Sequence, residues 1–234
     1  MWTPDSKSIL FSGGTGDLYW VDVDGSGAAD VVARGVFVLQ GLASLSSDGK
    51  TLAFSHSRRQ PGGSYELATA TIEGEKGHRK LGPVQPLLSM PFDERHPALS
   101  PDGKWIAYDS VEAGAVEVYV RPFPGLGGKF RVSNGGGMHP IWFRNSRELL
   151  YHNPSTGRAM VVGYSVNGSE FKPGSPEPWS NTPLQGNPVY HFYDLAPDGK
   201  RLAVVGLNDQ TAPAKPPTSI RFLINSPGEL VGRQ

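Results

Sequence analysis

Short apolar runs bounded by turn residues recur along this chain, and each apolar run is too short for a helix of useful length. Ile9-Leu10-Phe11, Leu52-Ala53-Phe54, Ile106-Ala107-Tyr108, Leu149-Leu150-Tyr151 and Leu202-Ala203-Val204 all follow a polar turn. The turn is best seen in Leu99-Ser100-Pro101-Asp102-Gly103-Lys104. There Pro presets φ, Asp bonds its own backbone, and Gly accepts positive φ. Equivalent turns are centred on Asp5, Asp48, Asn145 and Asp198, so the device recurs at intervals of roughly 43 to 54 residues, the spacing of propeller blades. Gly or Pro interrupts nearly every window that could carry helical periodicity.

The pattern predicts strands over residues 8–12, 18–23 and 30–34 in a first unit, and 36–45, 51–55, 65–72 and 79–88 in a second. A third covers 96–99, 105–110, 116–121 and 129–133; a fourth covers 139–143, 148–152, 159–166 and the Pro-rich 171–179. The fifth covers 190–196, 201–206 and 219–225. The expected fold is all-β: a single β-propeller domain over residues 1–234 with about five four-stranded blades, incomplete or closed by terminal strands. The first unit opens at Trp2 with most of its inner strand missing, which points to a piece cut from a longer chain. Closure is expected from residues 229–233, from a partner chain, or not at all.

Composition narrows the function classes. Lys plus Arg and Asp plus Glu number 22 each, so no net field steers nucleic acid to the chain. Cys is absent, which removes disulfides, thiolate nucleophiles and Cys-type zinc sites. No apolar run approaches the ~18 residues of a membrane span, and no secretory leader precedes the first repeat. Thirty Gly and 21 Pro supply the many tight turns that the pattern requires.

The run Pro97-Ala98-Leu99-Ser100-Pro101-Asp102-Gly103-Lys104-Trp105-Ile106-Ala107-Tyr108, with Glu117-Val118-Tyr119-Val120 after it, resembles the TolB-type, WD40-like (PD40) propeller repeat. Val118 to Gly125 and Ser133-Asn134-Gly135-Gly136-Gly137 resemble more narrowly the propellers found C-terminal to bacterial serine/threonine kinases. The departures are Arg144-Asn145-Ser146 in the fourth repeat and Ser47 in the second. The resemblance implies a propeller that binds or senses, and a bacterial extracytoplasmic location. Kinase signatures are absent from this sequence.

The repeat acts as a ruler for candidate chemistry. His96 stands six residues before Asp102, and His139 six before Asn145; each is followed by Pro. His191 stands seven before Asp198 and matches with a one-residue bulge. In a propeller these positions begin the innermost strand, so they converge at one mouth of the central channel. Three imidazoles there suit a zinc or manganese ion. Strands returning to that mouth end at His56, Asp109 and His152, with Glu94 just before His96. Glu94 and Asp109 are the candidate catalytic carboxylates, as general base or as orienters of a ligand His. Tyr190, Tyr193, His152 and His56 are the candidate ligand-contacting residues.

Two functions stay open on this reading. One is a binding or sensing module that holds a small molecule, peptide or protein over the mouth. The other is a metal-dependent hydrolase of esters or phosphoesters, acting through a metal-bound water. Open terminal blades allow a homodimer. Asp22-Val23-Asp24-Gly25-Ser26-Gly27-Ala28-Ala29-Asp30 resembles a calcium loop, but Ala33 stands where the bidentate Glu is needed, and a hairpin is the expected structure. Gly163-Tyr164-Ser165-Val166-Asn167-Gly168 lacks the spacing of a nucleophile elbow.

Overall fold

The computed structural model describes residues 1–13, 16–35, 44–57, 64–125, 127–184, 192–204, 221–224 and 230–231. Among them there is no helix, and the strands form five antiparallel sheets. The first is β1 (Ser8–Ser12), β2 (Leu18–Asp22) and β3 (Asp30–Ala33), in that order. The second is β4 (Ser44–Leu45), β5 (Thr51–Ser57), β6 (Tyr65–Glu73) and β7 (Lys80–Leu81), with β8 (Gln85–Leu88) also on β6. The third is β9 (Glu94–Leu99), β10 (Trp105–Ser110), β11 (Glu117–Pro122) and β12 (Phe130–Arg131). The fourth is β13 (Met138–Trp142), β14 (Glu148–Asn153), β15 (Arg158–Asn167) and β16 (Glu170–Pro173), with β17 (Glu177–Pro178) also on β15. The fifth is β18 (Tyr193–Leu195), β19 (Arg201–Val204), β20 (Arg221–Ile224) and β21 (Leu230–Val231).

The turns form as their residues dictate. The Gly103 amide donates to the Ser100 carbonyl at 2.9 Å, while the Asp102 carboxylate accepts the Ser100 hydroxyl at 2.6 Å and the Lys104 amide at 3.1 Å. Gly49, Gly103 and Gly199 all have φ near +70°, as the design requires (72°, 68° and 69°). The turns at Asp48 and Asp198 repeat the carboxylate-to-amide bond, to Lys50 at 3.0 Å and Lys200 at 2.9 Å. The divergent fourth turn instead sends the Asn145 side-chain amide across to the Pro197 carbonyl, 3.3 Å away, and ties itself to the fifth sheet's turn.

Period-two alternation then divides each sheet between two neighbours. Trp105 and Ala107 of β10 pack with Trp142, Leu149 and Tyr151 of the fourth sheet. Ile106 and Tyr108, on the other face of the same strand, pack with Ala53 and Leu67 of the second. Leu52 and Phe54 join Leu10, Leu18 and Trp20 of the first sheet, and Leu150 joins Phe192, Tyr193 and Leu202 of the fifth. Four apolar clusters among the described residues therefore bind the sheets in series. The Trp142 indole adds a hydrogen bond to the Ala98 carbonyl of β9 at 2.9 Å. Trp20 and Trp179, which lie outside the repeat register, are both buried in this packing.

The structure adds to or departs from the sequence expectation in several details. The outer strands expected over 79–88 and 171–179 are each split in two, because Gly82-Pro83-Val84 and Gly174-Ser175-Pro176 break the pairing. Leu230–Val231, within the segment considered for closure, pairs with β20 as the outer strand of the fifth sheet. Trp2, bridged to Ile9, takes the inner position of the first sheet. Burial lowers the Met1 ammonium pKa, against a smaller opposing effect of the Asp194 charge on β18. The inner-strand ends expected over 36–43 and 190–191 lie outside the described residues.

Trp2 and Trp142 occupy the same repeat position, but Trp142 is buried and Trp2 is 52% exposed. Trp142→Ala should therefore destabilise the chain by about 3–5 kcal/mol, and Trp2→Ala by less than about 1 kcal/mol, as read by urea denaturation. Equal losses would mean that the first sheet is covered as tightly as the fourth.

Candidate functional site

The starts of β9, β13 and β18 and the ends of β10 and β14 lie at one end of the sheets, opposite the Asp-bearing turns, because successive strands are antiparallel. His96 and His139 enter that end through the same backbone device. Opposite the single residue Tyr108 stand His96 and Pro97, and opposite Tyr151 stand His139 and Pro140, so each His-Pro pair is a β-bulge. Both histidines have left-handed backbone, φ 51° and 55°. Glycine is the usual occupant of such a bulge; a non-glycine residue held there stores on the order of 1–3 kcal/mol of strain.

The bulges bring the two imidazoles into contact, with ring centroids 4.0 Å apart and planes nearly perpendicular. His96 Nδ1 lies 2.7 Å from Asp109 Oδ2, and the same oxygen accepts the His139 backbone amide at 2.9 Å. The Tyr193 hydroxyl donates to the His139 carbonyl at 2.6 Å. Burial first, and the Asp109 charge second, push the Tyr193 phenol well above its ordinary pKa, which keeps it a neutral donor. His152 lies against Phe192, centroids 5.2 Å apart, and Tyr193, 6.5 Å. Burial lowers the His152 pKa, against a smaller opposing effect of the Gly157 backbone. Among the described residues, His96 Nε2 is buried without a hydrogen-bond partner, an unusual state for a polar atom.

The remaining candidates fall as follows. Glu94 is only 1% exposed, at the start of β9. Tyr193 is 2% exposed with its hydroxyl used internally, so it is not an open rim aromatic. His56 faces Glu66 across the β5–β6 pair at 3.2 Å, within its own sheet. Tyr190 and His191 lie outside the described residues. Among the described residues, no group of three or more His, Asp or Glu is disposed to hold a metal ion.

Two sets of contacts were not anticipated from the sequence. Glu117, buried at the start of β11, accepts the Gly135 amide at 3.1 Å, the Gly136 amide at 3.2 Å and the Ser133 hydroxyl, and pairs with Arg131 at 2.5 Å. Asn153 donates to the Gly135 carbonyl at 3.3 Å. Together they clamp the Gly-rich segment that leads into His139, and a Cβ on Gly137 would come within 2.4 Å of Ser133 Oγ. The only hint was a Ser-Asn-Gly-Gly-Gly run with no helix after it. Second, the Asp22–Asp30 hairpin receives two cations from the second sheet. Lys76 lies 2.8 Å from Asp22, and Arg79 lies 3.0 Å from Asp30 and 3.6 Å from Asp22. Side-chain cations thus occupy the place that calcium would need.

No family model matches the chain, and no curated protein matches it by sequence. Solved structures do. TolB from Acinetobacter baumannii superposes with a TM-score of 0.65 at 18% identity, over 96% of this chain and 50% of that one. A putative TolB from Agrobacterium tumefaciens gives 0.64 at 18% identity, over 99% and 78%. The chain has the TolB-type β-propeller fold. It spans half the length of the Acinetobacter TolB. An oligogalacturonate lyase solved in complex with manganese gives 0.60 at 14% identity, over 96% of this chain and 61% of the lyase. These likenesses establish the fold; the narrower resemblance to kinase-borne propellers rests on sequence alone.

If the left-handed backbone at His96 is strained, glycine should relieve it. His96→Gly should be about 1 kcal/mol more stable than His96→Ala, both having lost the imidazole. Equal melting curves for the two variants would show that the bulge relaxes once the ring is gone.

Proposed function

We propose that this propeller is a ligand-binding module whose ligand sits over the His96–His139 pair at the mouth of the central channel. The observation that carries the reading is the repeated His-Pro bulge. Two adjacent sheets hold a histidine in left-handed backbone at the same position, and the two rings meet at 4.0 Å. Packing alone is served equally well by an apolar residue in an ordinary strand. Strain maintained twice, to bring together two buried imidazoles, is typical of sites that act on something.

The ligand class favoured by two convergent imidazoles is a first-row divalent ion such as zinc or manganese. The oligogalacturonate lyase of similar fold was solved in complex with manganese, which supports an ion of this kind. His96 and His139 would hold it, with His191 as the third ligand expected from the repeat. A metal-dependent hydrolase of esters or phosphoesters is the second reading, supported by the buried carboxylate of Glu94, two residues before His96 on β9. Asp109 is less suited to act as general base, because both of its described bonds are already made within the site. An extracytoplasmic bacterial location follows from the resemblance. The half-exposed Trp2 supports a homodimer through the first sheet.

Calorimetric titration of the chain with Mn²⁺ and with Zn²⁺ tests the reading. One ion per chain should bind, and the His96→Ala/His139→Ala double variant should lose at least about tenfold in affinity. Undiminished binding in the double variant, or none in the wild type, would remove the ion from the mouth. Chelator-sensitive turnover of a nitrophenyl ester or phosphoester would favour the hydrolase reading, and its absence the binding module.

A further inference from the structure

We infer that Asp109 is the positioning residue of this site, and that it works by fixing which nitrogen of His96 carries the proton. The inference rests on the proposed site at the histidine pair and deepens it. The reasoning starts from a donor that cannot change role. The His139 backbone amide can only donate, and it donates to Asp109 Oδ2 at 2.9 Å. A carboxylate oxygen has no proton to give, so it accepts from both of its neighbours. His96 Nδ1, 2.7 Å from the same atom, must then be the second donor. In the neutral ring a proton on Nδ1 leaves the lone pair on Nε2, the buried nitrogen that has no hydrogen-bond partner among the described residues. One carboxylate oxygen thus selects the tautomer that presents an electron pair to a ligand.

The same atom also sets the geometry between sheets. Asp109 belongs to β10, His96 to β9 of the same sheet, and His139 to β13 of the next. The His139 carbonyl in turn accepts from Tyr193 at the start of β18. A continuous line of hydrogen bonds, from His96 through Asp109 and the His139 backbone to Tyr193, crosses three sheets. A carboxylate behind a ligating imidazole typically raises ligand affinity by about 10–100-fold, and here one carboxylate orients both histidines.

The test is long-range ¹⁵N-coupled NMR of the histidine side chains at neutral pH, with Mn²⁺ and Zn²⁺ affinities measured alongside. In the wild type, His96 should be the Nδ1–H tautomer. Asp109→Asn should keep it, because the fixed His139 donor forces the Asn carbonyl into the shared acceptor position. Asp109→Ala should release the preference and weaken ion binding by about 10–100-fold. A wild-type His96 protonated on Nε2 would overturn the inference, and that measurement needs no variant to fold. So would an Asp109→Ala chain that retains both the tautomer and the affinity. If the wild type binds neither ion, the metal reading fails, while the tautomer still decides the role of Asp109.

Discussion

A sheet with apolar side chains on both faces is stable only between two neighbours, and this constraint organises the molecule. In β10 the odd residues Trp105 and Ala107 belong to one junction and the even residues Ile106 and Tyr108 to the other. The same division recurs in β5 and β14. No sheet of this kind can cap the stack, so each requires the next, and radial repetition is the arrangement that leaves fewest faces open. Trp2 marks the place where the series is least covered, since its counterpart Trp142 is buried.

The site follows from that arrangement rather than from any single motif. The inner strands are flanked on both sides, so polar groups at their ends are dehydrated and must be satisfied internally. Asp109, Glu117 and Tyr193 do this work, each by binding backbone groups of a neighbouring strand or sheet. The bulges at His96 and His139 add a local departure from regular pairing that two adjacent sheets share, and they bring the two side chains into mutual contact. Strain in the backbone and order in the hydrogen bonds therefore coincide at one end of the sheets. The opposite end carries the Asp-bearing turns and the ion pairs of Lys76 and Arg79 with the Asp22–Asp30 hairpin.

Much of this was legible in the residues. The Asp-bearing turns define the repeat, and counting back from Asp102 and Asn145 places His96 and His139 at equivalent positions before any coordinates are consulted. What could not be read was the backbone state. A bulge was expected only at His191, which lies outside the described residues; the bulges at His96 and His139, where the counts agree, were not expected. Equal spacing hides a bulge when both repeats carry it. Glu117 was equally opaque, because a Glu opening a strand reads as a solvated charge until the Ser133–Gly137 segment folds over it.

The sequence by itself determined the fold class, the position of most strands and the registration of the histidines between repeats. Turn chemistry and period-two burial are local, and they repeat. Only the tertiary structure decided what those histidines do to one another. The 4.0 Å ring contact, the shared Asp109 oxygen and the burial of Tyr193 depend on how adjacent sheets pack. It likewise decided that the Asp22–Asp30 carboxylates are met by Lys76 and Arg79 from the second sheet. Charge pairing of that kind is settled by proximity in space, which spacing along the chain does not encode.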